Sequence, residues 1–232
     1  MSTPLVLLPG MMCDARLFAP QIAAVSGRRV VHCAPITSQD STAALAAEVL
    51  AHAPPRFALA GLSMGGIIAM EIAHQAPERL AGIALLDTNP LAEAPEVRAA
   101  RGPQIERVRA GGLVPVMRDE LKPRYLAEGP GRQEILDLCM EMARDLGAEV
   151  FCRQSVALRD RPDRQAALAA LTVPALVLCG RQDALCPVER HLLMHELMPQ
   201  ARLEIIEGAG HLPVLEAPDP TTAALLRWLE ET

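Results

Sequence analysis

The sequence predicts an α/β fold, with a doubly wound sheet of about six parallel strands and a helical insertion. Two observations lead to this prediction. Short apolar runs without interruption, such as Leu5–Leu8 and Leu80–Leu86, are typical of strands buried on both faces, as in parallel sheets. Between these runs, apolar residues recur at the 3.6-residue spacing of a helix. Strands that alternate with helices in this way form a sheet with helices on each side.

The predicted elements follow one another regularly at both ends of the chain. Strands are expected at 5–8, 29–33, 57–60, 80–86, 173–180 and 201–206, and helices at 17–25, 42–52, 67–76, 188–198 and 221–228. Between 91 and 165 no convincing strand occurs, and glycines and prolines divide the segment into about four helices. We therefore predict a core formed by residues 1–90 and 166–232 and a helical lid formed by residues 91–165.

The composition excludes several classes of protein. The formal net charge is −6, and Lys122 is the only lysine among 22 basic residues, so the basic face needed to bind nucleic acid is missing. No uncharged apolar stretch is long enough to cross a membrane, and the first apolar run is too short for a signal sequence. The six cysteines form no C-x-x-C pair, which indicates reduced thiols in a cytoplasmic protein.

The stretch 57–70, which reads FALAGLSMGGIIAM, places a serine at the turn between a strand and a helix. A side chain at Gly61 or Gly65 would collide with the adjoining strand and helix, so these glycines allow the turn to be sharp. Such a turn lifts the hydroxyl off the sheet at a helix N-terminus, which favours negative charge. The motif predicts that Ser63 is a nucleophile. The alternative is a glycine-rich helix start with Ser63 as its N-cap.

Two further candidate catalytic residues follow later strands, Asp183 after the fifth and His211 in the loop after the sixth. The carboxyl ends of parallel strands lie at one edge of the sheet, where ligands bind. A serine hydroxyl needs a base to take its proton, and an imidazole titrates near neutrality. Asp183 would fix the tautomer of His211 and stabilise the imidazolium, and the order Ser, Asp, His accompanies this kind of turn.

Alternatives to these assignments stay open from the residues alone. Asp87 also follows a strand and is a rival acid, whereas Asp183 is also a common turn-forming residue type. The alternative for His211 is a histidine in a surface loop. His191 and His195 lie four residues apart on one predicted helix, a spacing found in zinc sites, but no third ligand or H-E-x-x-H motif accompanies them. With no nucleotide-binding motif either, we expect no metal and no cofactor.

The remaining candidate residues surround the serine. The backbone N–H of Met64 and that of Met11 are the expected donors to the oxyanion. The chain has only five aromatic residues. The pocket is therefore expected to be aliphatic, to be lined by Met12, Leu185 and Leu212, and to favour a small-molecule substrate with an apolar acyl group.

Four motifs resemble those of the α/β-hydrolase superfamily: LLPGMM, GLSMGG, GRQDALCPV and GAGHLPVLEAP. The chain is similar to the compact, lidded carboxylesterases and lactonases of that superfamily. The resemblance implies a serine hydrolase that cleaves a small or medium carboxylic ester, lactone or thioester through an acyl-enzyme. The first two antiparallel strands usual in these proteins are absent, which exposes a sheet edge as a candidate surface for a partner or homo-oligomer. The oxyanion loop also begins with Pro9-Gly10 where most relatives have His-Gly.

Two other functions are compatible with the same motifs. One is lyase chemistry or carbon–carbon bond hydrolysis on a carboxylate substrate, with Arg118, Lys122 and Arg124 receiving the carboxylate. These cations are also explained as a solvated helix face balanced by neighbouring acids. The other is a non-catalytic small-ligand-binding protein, which the complete set of candidate catalytic residues disfavours.

Overall fold

A computed structural model describes residues 2–232 and shows one six-stranded sheet in the order β2-β1-β3-β4-β5-β6. The strands are β1 (Leu5–Leu8), β2 (Val31–Cys33), β3 (Phe57–Leu62), β4 (Leu80–Leu86), β5 (Ala175–Gly180) and β6 (Arg202–Ile206). Every neighbouring pair is parallel. The prediction of six parallel strands in a doubly wound sheet is confirmed.

Helices cover both faces of the sheet. They are α1 (Ala19–Val25), α2 (Thr42–His52), α3 (Met64–Gln75), α4 (Pro95–Arg107), α5 (Leu113–Pro115), α6 (Arg132–Arg159), α7 (Gln165–Ala169), α8 (Val188–Leu197), α9 (Pro213–Glu216) and α10 (Pro218–Leu229). The last helix begins three residues before the predicted position, because proline is well suited to the first turn of a helix. The short helix α9 was not predicted.

The core has one apolar layer on each face of the sheet. Strands β1, β3, β4 and β5 are buried along their whole length, which explains why their sequences are continuously apolar. Ile68 and Met194 belong to the layer on one face, and Phe18 and Trp228 belong to the layer on the other. The edge strands β2 and β6 are less buried than the central strands. A partner surface at an exposed sheet edge stays a prediction.

Every secondary-structure element between residues 91 and 165 is helical. These residues contribute to a third apolar cluster, which includes Val108 and Phe151. The longest helix, α6, is interrupted at Gly147, whose φ of 81° and ψ of 175° are not helical. Gly147 is one of the glycines and prolines that were expected to divide this segment into helices. The boundary between a core and a lid at these residues remains a prediction. Among residues 2–232, no helix combines the length and apolar character needed to cross a membrane.

Candidate active site

The candidate site lies where the strand order changes direction. Strand β1 has β2 on one side and β3 on the other, so the connections that follow β1 and β3 leave the sheet in opposite directions. The crevice between such connections, at the carboxyl ends of the strands, is where open α/β sheets bind ligands. Met11 follows β1 and Ser63 follows β3, so both lie at this crevice.

Ser63 occupies a strained turn between β3 and α3. Its φ of 56° and ψ of −117° are unfavourable for a residue with a side chain. Added Cβ atoms would overlap the Gly65 carbonyl at Gly61 and the Leu8 carbonyl at Gly65, so both positions require glycine. The Ser63 side chain makes no capping hydrogen bond to the helix. The alternative in which Ser63 serves as a side-chain N-cap is therefore wrong.

The backbone of this turn is fixed on both sides. The N–H of Ser63 donates to the Leu86 carbonyl at 2.9 Å, and the hydroxyl of Thr88 donates to the Ser63 carbonyl at 2.7 Å. Both partners lie at the end of β4, the strand next to β3. The neighbouring strand therefore holds the serine in its strained conformation.

A continuous chain of hydrogen bonds joins the three predicted catalytic residues. The Oγ of Ser63 lies 2.9 Å from Nε2 of His211, and Nδ1 of His211 lies 2.8 Å from Oδ2 of Asp183. The other carboxylate oxygen, Oδ1, accepts the N–H groups of Leu185 and Cys186 at 2.8 and 3.0 Å. This arrangement suits a neutral imidazole that donates from Nδ1 and accepts from Ser63 at Nε2.

Electrostatics distinguishes the two candidate acids. Burial pushes the pKa of Asp183 upward, but His211 and the two backbone donors outweigh this effect, so its pKa is lowered overall. Asp87 is fully buried, and both its burial and the charge of Asp183 raise its pKa well above the ordinary value. Asp183 is thus the ionised partner of His211, and the rival assignment to Asp87 is not supported.

Two residues that sequence reasoning missed hold the loop of His211. The backbone N–H of His211 donates to the Tyr125 carbonyl at 2.7 Å, which links the loop to the 91–165 segment. The carboxylate of Glu216 accepts three backbone N–H groups at 2.8–2.9 Å, from Ala127, Gly210 and Leu212. Glu216 lies within the GAGHLPVLEAP motif, five residues after the histidine. This position was the only feature of the sequence that could have indicated its role.

Gln154 holds the loop that follows β1. Its side chain is fully buried; Oε1 accepts the N–H of Met12 at 2.9 Å, and Nε2 donates to the Ile36 carbonyl at 3.0 Å. With the N–H of Met12 occupied, the N–H of Met11 has no hydrogen-bond acceptor among residues 2–232. The amide of Gln154 thus supplies polar support to the loop that begins with Pro9-Gly10.

A cavity of about 860 Å³ opens above Ser63 and His211. Leu185 and Leu212, which were expected to line the pocket, lie in its wall, together with Met11 and Met64. Met12 does not line it, because its side chain is fully buried and packs in the third apolar cluster. The expectation that Met12 contacts substrate is therefore corrected.

The cations considered as carboxylate receivers are separated. Arg118 is exposed and paired with Asp119, while Lys122 is buried with its ammonium 4.9 Å from the ring centre of Tyr125. Only Arg124 lines the cavity, and its guanidinium donates to the Ala184 carbonyl at 3.0 Å. These three residues therefore do not form one anion site.

His191 of α8 has a structural role. His191 is fully buried, and its Nε2 accepts the N–H of Thr88 at 3.1 Å. The described part of the chain has one group of three potential metal ligands with atoms within 4.8 Å of one another: Asp183, Cys186 and His211. The hydrogen bond between Asp183 and His211 already explains the proximity of two of them.

With this fold and geometry, the chain belongs to the Alpha/beta hydrolase family, whose model matches residues 5–224. A pimeloyl-[acyl-carrier protein] methyl ester esterase of Xanthomonas oryzae pv. oryzae (strain MAFF 311018) is 28% identical over 249 residues, covering 97% of this chain and 94% of the relative. The malate-bound structure of a thermophilic esterase from Thermogutta terrifontis is 29% identical with a TM-score of 0.90, covering 100% of this chain and 92% of that one.

A third relative is longer. The biotin biosynthesis bifunctional protein BioHC of Teredinibacter turnerae is 28% identical over 192 residues, which are 77% of this chain. The chain spans only 34% of the length of that relative. The similarity therefore concerns one part of the bifunctional protein.

Proposed function

We propose that this protein is a serine hydrolase that cleaves a small or medium carboxylic ester, lactone or thioester through an acyl-enzyme. The observation that carries the proposal is the unbroken hydrogen-bond chain from Asp183 through His211 to a strained serine at the floor of a cavity. Relatives named as esterases support the ester as the bond cleaved.

In the first half of the reaction, His211 takes the proton of Ser63 as Oγ attacks the substrate carbonyl. The ionised Asp183 stabilises the imidazolium that forms, and its own two N–H donors keep it ionised. His211 then gives the proton to the leaving alcohol or thiol. In the second half, water attacks the acyl-enzyme with His211 again as the base. The imidazolium then returns the proton to Oγ of Ser63 as the carboxylic acid product leaves.

The oxyanion of each tetrahedral intermediate needs preorganised donors. The N–H of Met64 lies at the N-terminus of α3, and the N–H of Met11 follows β1 across the crevice. We assign both as oxyanion donors. Each such donor contributes about 3–4 kcal/mol to stabilisation of the transition state in comparable enzymes.

The cavity wall near the serine supports an apolar acyl group. The side chains of Met11, Leu62, Met64 and Leu212 are aliphatic and lie in the wall with Ser63. Such surface favours aliphatic acyl chains over sugars, which need many hydrogen-bond partners. The completeness of the catalytic residues argues against a non-catalytic binding protein.

The proposal is tested by covalent labelling and by activity. Wild-type protein should react with a fluorophosphonate probe and hydrolyse short p-nitrophenyl esters. In Ser63→Ala, labelling should be lost and ester hydrolysis should fall by at least about 10⁴-fold, because the nucleophile acts as part of a unit. The matched control is Ser26→Ala, an exposed serine whose removal should leave both readouts unchanged. Equal labelling of Ser63→Ala and wild type would refute the proposal.

A further inference from the structure

Two arginines and one glutamate form a buried cluster in the wall of the same cavity. Glu93 lies between β4 and α4, Arg101 lies in α4, and Arg161 follows the end of α6. Their side chains are only 6%, 14% and 7% exposed, respectively. Charged groups are rarely buried to this extent unless they are paired, so the cluster requires an explanation.

The contacts within the cluster are close. Nη2 of Arg101 lies 2.6 Å from Oε2 of Glu93, and Nη1 of Arg161 lies 2.9 Å from Oε1. Nε of Arg101 also donates to Oε2 at 2.7 Å, and Nε of Arg161 donates to the Leu91 carbonyl at 3.0 Å. One carboxylate therefore orients two guanidinium groups, one on each of its oxygens.

The charges of the cluster do not cancel. Two guanidinium groups and one carboxylate leave one excess positive charge, because arginine stays protonated in proteins. Burial and the nearby charge of Arg101 lower the pKa of Arg161, although the charge of Glu93 partly opposes them. Arg190 also lines the cavity and forms no ion pair with any residue from 2 to 232.

The other acids of the wall are engaged elsewhere or exposed. Glu120 is paired with Arg107, and the carboxylate of Asp163 accepts the backbone N–H of Gln165. Glu96 lies exposed in the first turn of α4. These carboxylates therefore do not neutralise the buried cluster.

Both guanidinium groups keep donors for a ligand. Within the described chain, Nη1 of Arg101 and Nη2 of Arg161 have no hydrogen-bond acceptor. Neither atom is among the polar atoms sealed in protein without a partner, so both remain accessible to solvent. A carboxylate is the acceptor that matches two guanidinium groups and one excess positive charge.

The cluster also shares its cavity with the catalytic residues. Cys186, Arg161 and Arg190 all lie in the wall of the cavity that opens above Ser63. The Sγ of Cys186 lies within 4.8 Å of a carboxylate oxygen of Asp183 and a ring nitrogen of His211. A substrate that reaches from Ser63 to the arginines therefore stays within one cavity.

We propose that Arg101 and Arg161, oriented by Glu93, form an anion subsite that binds a carboxylate remote from the bond that is cleaved. The inference rests on the proposed hydrolase function and specifies its substrate class: half-esters of dicarboxylic acids and related esters that carry one free carboxylate. The apolar wall beside Ser63 accommodates the carbon chain between the two ends of such a substrate.

The test compares two esters of the same size. One is the monomethyl ester of adipic acid, and the other is the same ester with its free carboxylate replaced by a carboxamide. For the wild type, kcat/KM should be about ten-fold or more higher with the carboxylate, since charge-assisted hydrogen bonds to buried arginines are lost with the amide.

Variants of the cluster should change this preference in opposite directions. Arg101→Gln and Arg161→Gln should reduce the carboxylate-to-carboxamide ratio of kcat/KM to near one. Glu93→Gln should raise the ratio, because the uncompensated positive charge grows. Arg98→Gln, which removes an exposed arginine of α4 that is paired with Asp160, is the matched control and should leave the ratio unchanged. A cluster that only braces the fold would reduce activity on both esters equally, and that result would overturn the subsite.

Failure of the subsite is distinguishable from failure of the hydrolase proposal. Hydrolysis of the carboxamide ester that depends on Ser63, with no preference for the carboxylate, would overturn the subsite alone.

If neither ester is cleaved and no fluorophosphonate labelling occurs, calorimetric binding of adipate to Ser63→Ala tests the subsite independently of catalysis. Adipate should bind at least about ten-fold more weakly when Arg101→Gln is added. No adipate binding, or binding unaffected by Arg101→Gln, would overturn it. Thermal unfolding checks that each variant folds. If Arg161→Gln does not fold, the test relies on Arg101→Gln alone.

Discussion

At the scale of single residues, the site depends on side chains that hold the backbone in position. Ser63 is strained at a positive φ, and the hydroxyl of Thr88 holds its carbonyl in place. Gln154 has the corresponding role for the loop after β1, because its buried amide satisfies one donor and one acceptor of the backbone. A strained backbone conformation persists at a functional site only where surrounding contacts hold it in place, and these side chains provide such contacts.

Gln154→Leu is expected to lower kcat for a neutral ester by about 10²-fold with little change in KM. The substitution leaves the N–H of Met12 without its acceptor, so the adjacent N–H of Met11 moves from the oxyanion. Steady-state kinetics on p-nitrophenyl esters measures both constants. Gln133→Leu, an exposed position of the same helix, is the control. An unchanged kcat would show that Met11 is not an oxyanion donor fixed by Gln154.

At the scale of elements, the kink in α6 separates two helical segments of the 91–165 insertion. The first segment carries Met142, whose sulfur accepts the N–H of Asp14, and the second carries Gln154. Both segments therefore contact the loop after β1. The direction change at Gly147 lets one helix reach that loop at two places.

Gly147→Ala is expected to destabilise the protein by about 1–3 kcal/mol, because only glycine adopts this φ and ψ without strain. An added Cβ would meet nothing within 4 Å, so the cost comes from the backbone alone. Denaturant unfolding measures the change. The control is Gly27→Ala, a turn glycine without a positive φ whose Cβ also meets nothing, and it should be close to neutral. Equal stability of the two variants would contradict the backbone explanation.

At the scale of the whole molecule, stability depends on keeping a buried histidine neutral. His191 connects the end of β4 to α8, since its Nε2 accepts the N–H of Thr88. Burial lowers its pKa from 6.5 to about 4, although Asp183 partly opposes the change. The unfolded chain therefore binds a proton at a higher pH than the native protein does. The stabilisation is complete above pH 6.5 and is lost as the pH falls toward 4.

Between pH 7 and pH 5, the wild type should lose about 2 kcal/mol more of its free energy of unfolding than His191→Gln does. The reason is that the variant has no imidazole to protonate in the unfolded state. Denaturant unfolding at a series of pH values gives the two slopes. His74→Gln, an exposed histidine of α3, should keep the wild-type slope. A His191→Gln slope identical to that of the wild type would show that the pKa of His191 is not lowered in the native protein.

The local sequence was sufficient to predict the fold class and to single out the three residues that form the hydrogen-bond chain. Buried parallel strands need uninterrupted apolar runs, and a sharp turn that carries a serine needs glycines beside it. Both requirements concern neighbours in sequence, so both can be recognised there. The alternation of strands and helices then placed Ser63, Asp183 and His211 at one edge of the sheet.

Only the tertiary structure decided the contacts between distant residues. Gln154 supports Met12 across 142 positions of sequence, and Glu93 joins arginines from two ends of the insertion. Burial also decided between two acids that look alike in sequence, because desolvation and the charge of Asp183 raise the pKa of Asp87 well above its ordinary value. Such contacts depend on which surfaces come together and how much water they exclude. Neither can be predicted from the local spacing of apolar residues.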